Sequence, residues 1–205
     1  MTTTTTARRA RSDGERTRRT ILRAAANLAT VDGLEGISIG NLAAHIGMSK
    51  SGLYAHFGSK EELQLATVDT AEEIFAVDVV RPTEQITDPL LRLQALCDGF
   101  ISHLERRVFP GGCFFASVAA EFDTHPGPVK DRIATVQSGW SGLLEQLVSE
   151  AQAVGKVRAD EDPAQLAFEL GAYMLMGNTA FVLHDDPAYL HQARTAVQQR
   201  LERAT

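Results

Sequence analysis

Cysteine is scarce: Cys97 and Cys113 are the two in 205 residues. That count excludes a disulfide-stapled scaffold and fits a reducing compartment. Long apolar runs are missing as well. The best candidate, residues 170–183, contains Asn178 and Thr179. It falls short of the roughly 18 clean apolar residues of a bilayer-crossing helix, so no membrane span is expected. The chain starts with threonines and then arginines, without the apolar segment of a secretory signal. A transit peptide shares that composition, but the arginines have a better use, given below. C-x-x-C, H-E-x-x-H and P-loop patterns do not occur. The six histidines show no metal-ligand spacing; His184, Asp185 and His191 form only a weak cluster. No metal and no cofactor is therefore expected. Runs of β-type alternation and internal repeats are also lacking.

What the chain has is ordinary globular composition, with 44% hydrophobic and 22% charged residues. Its net charge of −6 is unevenly spread. Residues 1–60 hold nine Lys and Arg against four acids, a net +5; residues 61–205 hold eleven against twenty-two, a net −11. Such a division suggests a basic head that meets a polyanion and an acidic body with another task. A solvated basic tail would give the same count.

The apolar pattern is helical throughout. Ile21, Ala25 and Leu28 recur at helical spacing before Gly33, a plausible stop. Leu90, Leu93, Cys97, Phe100 and Leu104 form one stripe, and Val129, Ile133, Val136, Trp140, Leu144 and Leu147 another. Asp88-Pro89, Asp162-Pro163 and Asp186-Pro187 look like N-cap and first-turn pairs. The expectation is an all-α chain of nine or ten helices. It divides into a disordered basic arm at 1–12, a helix-turn-helix domain at 13–60 and a helical effector-binding and dimerisation domain at 61–205.

Residues 37–63 read ISIGNLAAHIGMSKSGLYAHFGSKEEL. Ser38 is suited to cap a short helix. Gly47 provides a turn that tolerates positive φ. Ser49 is suited to cap a second helix over Lys50–Phe57, with Leu53 and Phe57 inward. Ser59 and Glu62 form an S-x-x-E capping box for a third. Two short helices around a glycine turn are the sequence form of a helix-turn-helix. On the outer face Lys50, Ser51, Tyr54 and His56 offer hydrogen-bond donors. Gly52 removes bulk so that the helix can sit deep in a major groove. Lys60 adds charge at the next helix start.

The words ILRAAANLA, GISIGNLAAHIGMS and SGLYAHFGSKEEL, within Thr20–Leu63, resemble the DNA-binding domain of the tetracycline-repressor (TetR/AcrR) family. Ala29 departs from the pattern, standing where the family usually has phenylalanine; this would loosen packing between the first and third helices. The resemblance implies double-stranded operator DNA as a partner, contacted by Ser38, Lys50, Ser51, Gly52, Tyr54, His56 and Lys60. Tyr54 and His56 are expected on phosphates, Lys50 and Ser51 on bases, and the arginines from Arg8 to Arg19 on the backbone or minor groove. It further implies a homodimer reading successive major grooves about 34–36 Å apart. The dimer would form through the helices near 128–154 and 163–183, and a small effector would release the DNA. A cytoplasmic repressor follows as the expectation.

In the body, phenylalanine concentrates between residues 100 and 122. Phe75, Phe100, Leu104, Phe114, Phe115, Val118, Phe122, Trp140, Met174 and Asn178 are the candidates to line an effector pocket. Ordinary core packing accounts for the same stripes. His103 and Glu121 are further polar groups that could orient a ligand. Cys113 gives an alternative, a redox-sensing thiol. Gly36-Ile37-Ser38-Ile39-Gly40 satisfies G-x-S-x-G, but it lacks the preceding strand that a nucleophile elbow needs, and no enzyme is expected.

Overall fold

Aspartate, proline and serine set the helix starts. In the computed structural model, which describes residues 3–205 and side chains from Gly14 onward, Asp88 and Asp162 each accept two backbone N–H groups ahead of a proline. The helices are α1 (Thr3–Asp32), α2 (Ile39–His45), α3 (Lys50–Tyr54), α4 (Lys60–Phe75), α5 (Pro89–Glu105), α6 (Phe114–Phe122), α7 (Pro128–Ala153), α8 (Pro163–His184) and α9 (Ala188–Ala204). A turn of π-helix, Ala76–Val80, and a 3₁₀ turn, Arg81–Thr83, extend α4. Among the described residues there is no strand. The fold is all-α, with a helix-turn-helix head and a helical body.

Three local expectations change. The first helix runs back to Thr3 rather than starting at Asp13, so the stretch expected to be a disordered arm is helical in its backbone from Thr3 on. No proline interrupts it, and Ala7–Arg11 are strong helix formers. Met1, Thr2 and the side chains of Arg8, Arg9 and Arg11 lie outside the described residues. The recognition segment is shorter than Lys50–Phe57 and ends at Tyr54. Asp186 caps from one residue further out, its carboxylate accepting from Ala188 N at 2.9 Å, and α9 starts after Pro187.

In the head, α1 packs on α4, and α2 on α3. Ile21, Leu34, Ile37, Leu42, Leu53, Phe57 and Leu63 close its core. In the body, α7 packs against α4, α5, α6 and α8, while α9 lies on α8 and α5. Gly177 makes that last contact possible, because a Cβ there would overlap the Ala193 side chain. Gly177 therefore serves α9 rather than a free helix face. Arg194 bonds Asp98 and Glu105, and Arg200 bonds Glu161 and Glu169, fixing α9 by charge on two sides. By length and composition alone, α8 could cross a bilayer. Eight of its residues are buried in the core, and its remaining apolar side chains form a separate exposed stripe.

Candidate nucleic-acid interface and regulatory cavity

Ser38 opens α2 with a reciprocal box: its hydroxyl accepts from Asn41 N at 3.1 Å, and Asn41 Oδ1 accepts from Ser38 N at 2.7 Å. Gly47 turns the chain at φ +68°, where a side chain would be strained. Ser49 then caps α3, accepting from Gly52 N at 3.1 Å, and lies 3.2 Å from the Ser51 hydroxyl. Leu53 is fully buried beneath α3, which leaves Lys50, Ser51 and Tyr54 outside. Tyr54 is 58% exposed. Lys50 and Tyr54 take no hydrogen-bond partner among the described residues, so their polar ends are available to a ligand.

His56 follows the helix instead of lying on it. Its carbonyl accepts from the Arg18 guanidinium at 2.6 Å, and the same guanidinium lies 4.4 Å from the Phe57 ring centroid. This ties the segment after α3 to α1. Lys60 is also engaged: its ammonium donates to the Glu35 carbonyl and carboxylate, both at 2.7 Å. That contact, with Gln64, holds the Glu35 carboxyl below its usual range. At the start of α4, Ser59 accepts from Glu62 N at 3.0 Å. Glu62 reaches Gly58 N rather than Ser59 N, closing the box one residue earlier than its pattern suggests. The α2–α3 face therefore carries Ser38, Lys50, Ser51, Gly52 and Tyr54 outward, with His56 at its edge and Lys60 braced beside it.

A cavity of about 890 Å³ lies in the body. Phe75, Phe100, Phe115, Trp140 and Met174 line it, as do Ala76 and Val80 of the π turn. Phe75 meets Trp140 edge-on, with centroids 5.1 Å apart, and Phe100 lies 6.1 Å from the same indole. Five other candidates do not line it. Leu104, Phe114, Val118 and Phe122 are core residues. Phe114 and Phe115 are neighbours on one helix and cannot both face one side; Phe114 packs on Phe109 instead. Asn178 is buried and accepts the Cys113 N–H at 2.8 Å, a structural bond beside the close approach of Gly112.

The other polar candidates are also committed. His103 Nδ1 sits 2.6 Å from Asp78, which also pairs with Arg106; His103 Nε2 is buried without a partner. Burial pushes the imidazole down from its ordinary value, which leaves it neutral at pH 7. Glu121 grips the α1–α2 turn rather than a ligand. Cys113 borders the cavity, but burial pushes its thiol up, away from the reactive thiolate, and this works against a redox sensor.

Sequence reasoning missed Glu72, the one charged residue lining the cavity among the described residues. It pairs with Arg132, which also donates to Asp69 at 2.8 Å, so one arginine of α7 holds two acids of α4. It also missed Phe168, Gly171 and Leu175, where the cavity meets the outer face of α8. Alternating buried and exposed apolar residues on a helix apolar all round gave no sequence signal for that opening. Among the described residues no three His, Cys, Asp or Glu side chains gather as a metal site.

The chain matches two family models. Residues 21–67 match the bacterial regulatory proteins of the tetR family. Residues 89–197, more than half of the chain, match the tetracyclin repressor-like C-terminal domain. It is 25% identical to the transcriptional regulator AcuR of Cereibacter sphaeroides over 157 residues, 76% of this chain and 71% of that one. A TetR transcriptional regulator from Chloroflexus aurantiacus superposes with a TM-score of 0.83 at 29% identity, covering 93% of this chain and 96% of the other. AibR, solved with isovaleryl coenzyme A and operator DNA, superposes at 0.70 with 26% identity, covering 87% and 94%. A helix-turn-helix head joined to a helical, cavity-bearing body, matched by both family models, makes this chain a member of the tetracycline-repressor (TetR) family of transcriptional regulators.

Proposed function

We propose that the protein is a homodimeric repressor that leaves a palindromic operator when a small, largely apolar effector occupies the cavity. The observation that carries this reading is α6. Phe115 and Ala116, near its start, line the cavity, and Glu121, near its end, holds the backbone of the α1–α2 turn. An effector that shifts α6 therefore shifts the head, and linkage makes effector and DNA oppose each other equally in both directions. The pairs Arg132–Asp69 and Arg132–Glu72 give α4 a second tie to the cavity wall.

Lys50 and Ser51 read bases and Tyr54 grips phosphate, with Ser38, Gly52 and His56 flanking. Lys60 acts beside them through its grip on Glu35. The dimer forms on α7 and α8, where Phe168, Leu175, Met176 and Leu183 stand exposed on one side of α8. We assign it to the cytoplasm and give it no catalytic role; the Ser38 hydroxyl of the G-x-S-x-G pattern accepts a backbone N–H as a helix cap.

AibR's isovaleryl coenzyme A makes acyl thioesters the first class to screen. The acyl end suits the phenylalanine floor. Among the described residues the lining offers no cation for phosphates, so any nucleotide part would stay outside. The test is fluorescence anisotropy with the intergenic DNA upstream of the protein's own gene. Wild type binds it and releases it on titration with the effector; Tyr54→Ala does not bind. Equal binding by both proteins would refute the DNA-reading face. Release by no apolar compound that binds the cavity would refute the coupling.

A further inference from the structure

We propose that Glu72 selects the effector by the charge of its polar end: the cavity takes an apolar chain that carries an N–H donor, amide or ammonium, and rejects the free carboxylate of the same chain. The inference deepens the function proposed above and rests on its effector cavity.

The carrying observation is where this carboxylate stands. Glu72, Phe75 and Ala76 of α4 all line the cavity. Spacings of three and four put them on one face of the helix, with neighbouring Cβ atoms about 5–6 Å apart. Phe75 in turn meets the Trp140 indole edge-on at 5.1 Å, and Phe100 lies 6.1 Å from both rings. A chain lying on this aromatic floor therefore has its end within reach of the Glu72 carboxylate. Glu72 Oε2 accepts from Arg132, whereas Oε1 takes no hydrogen bond among the described residues. One oxygen is thus available to an N–H.

The charges around that oxygen leave it negative. Arg132 is the cation beside it, and the same guanidinium also serves Asp69, so two carboxylates share one positive charge. Among the described residues no Lys or Arg lines the cavity. Gln137, Ser138 and Ser141 of α7 line it, but they are neutral and exposed. A ligand carboxylate on the aromatic floor would give up water beside a like charge and gain no cation in return. An ammonium gains an opposite charge. An amide N–H gains a charge-assisted bond without bringing a charge of its own. An acyl group joined to coenzyme A meets the same requirement, since its acyl end is uncharged and amide N–H groups follow it; the free acid does not.

The experiment displaces the uncharged dye N-phenyl-1-naphthylamine from the full chain with octylamine, octanamide or octanoate at pH 7. Octylamine and octanoate both carry charged, hydrated heads, so the sign of the charge separates them. In wild type the two nitrogen compounds are expected to bind at least tenfold more tightly than octanoate. Glu72→Gln leaves Arg132 its bond to Asp69 and should bring the three within threefold. Glu73, the next residue, pairs with Arg81 and does not line the cavity. Glu73→Gln should therefore keep the wild-type order, which sets aside a general effect of the acidic body. Arg132→Gln removes the shared cation and should widen the gap; it decides the matter if circular dichroism shows Glu72→Gln unfolded. Octanoate bound as tightly as octylamine in wild type, or a gap that neither Glu72→Gln nor Arg132→Gln alters, would overturn selection by Glu72 while leaving the apolar cavity intact. So would the same loss of the gap in Glu73→Gln. A wild type that binds neither the dye nor any of the three compounds would overturn the effector cavity as well.

Discussion

The carboxylate of Glu121, near the end of α6, takes the backbone N–H of Leu34 at 3.1 Å and the next N–H, that of Glu35, at 2.9 Å. It does so across Gly33, at φ +83°, where a Cβ would press on the same carboxylate. Two further contacts brace this junction. Gly111 N donates to the Thr30 hydroxyl at 3.0 Å, and Arg23 donates to the Val108 carbonyl at 2.7 Å. Head and body are joined by hydrogen bonds along the C-terminal part of α1 and the turn that follows it.

Glu121→Ala removes the two charge-assisted bonds, each worth about 1.5–3 kcal/mol when made to an ionised group. Dye binding in the cavity is expected to stay within twofold of wild type, while the effector's influence on operator affinity falls at least fivefold. Anisotropy titrations with and without effector measure this. An unchanged ratio would mean that the signal passes elsewhere.

Lys50 and Lys60 are expected to behave differently on DNA. Lys50 has a free ammonium, so Lys50→Ala should cost about 1–3 kcal/mol of operator affinity. Lys60 is bound to Glu35 within the head itself, so Lys60→Ala should lower thermal stability and affect DNA binding less. Parallel melting curves and operator titrations separate the two. Equal losses in binding, with no change in melting, would place Lys60 among the direct contacts.

Stability should fall with acid through His103. Burial holds the folded imidazole below its ordinary 6.5, despite the opposing pull of Asp78. As pH drops through that value the unfolded chain takes up a proton that the folded one refuses, so stability is lost from about pH 6.5 downward until the folded group also titrates. Asp78 is held below its ordinary 3.8, first by Arg106, and its contribution is lost only at still lower pH. His103→Asn should flatten the melting temperature between pH 7 and pH 5 relative to wild type; parallel curves would contradict the assignment.

Cys113 should resist modification in the folded protein. Its thiol is buried and pushed up, and Cys97 is pushed up to about 12 by burial. Native protein is expected to react with iodoacetamide at least tenfold more slowly than denatured protein, and peroxide should leave operator affinity unchanged. Rapid native labelling at Cys113 together with loss of DNA binding would revive the redox sensor.

The head was legible from the sequence because its signals are local. Ser38, Ser49 and Ser59 cap their own following turns, Gly47 sets one positive φ, and Leu53 and Phe57 point inward by position. Each acts within a few residues, so the string of letters contains it; so does the split between a basic head and an acidic body. The body was legible only as helices. Whether a phenylalanine faces a cavity or the core depends on which helix lies opposite, and that separates Phe115 from Phe114 and Phe75 from Phe122. The polar candidates show the same limit: Asn178, His103 and Glu121 found partners 65, 25 and 87 residues away. Chain chemistry fixed which segments form helices, since hydrogen bonds and caps are local. Packing alone decided where the cavity opens, which carboxylate guards it and which face of α8 was left uncovered, because those depend on contacts between segments far apart in the chain.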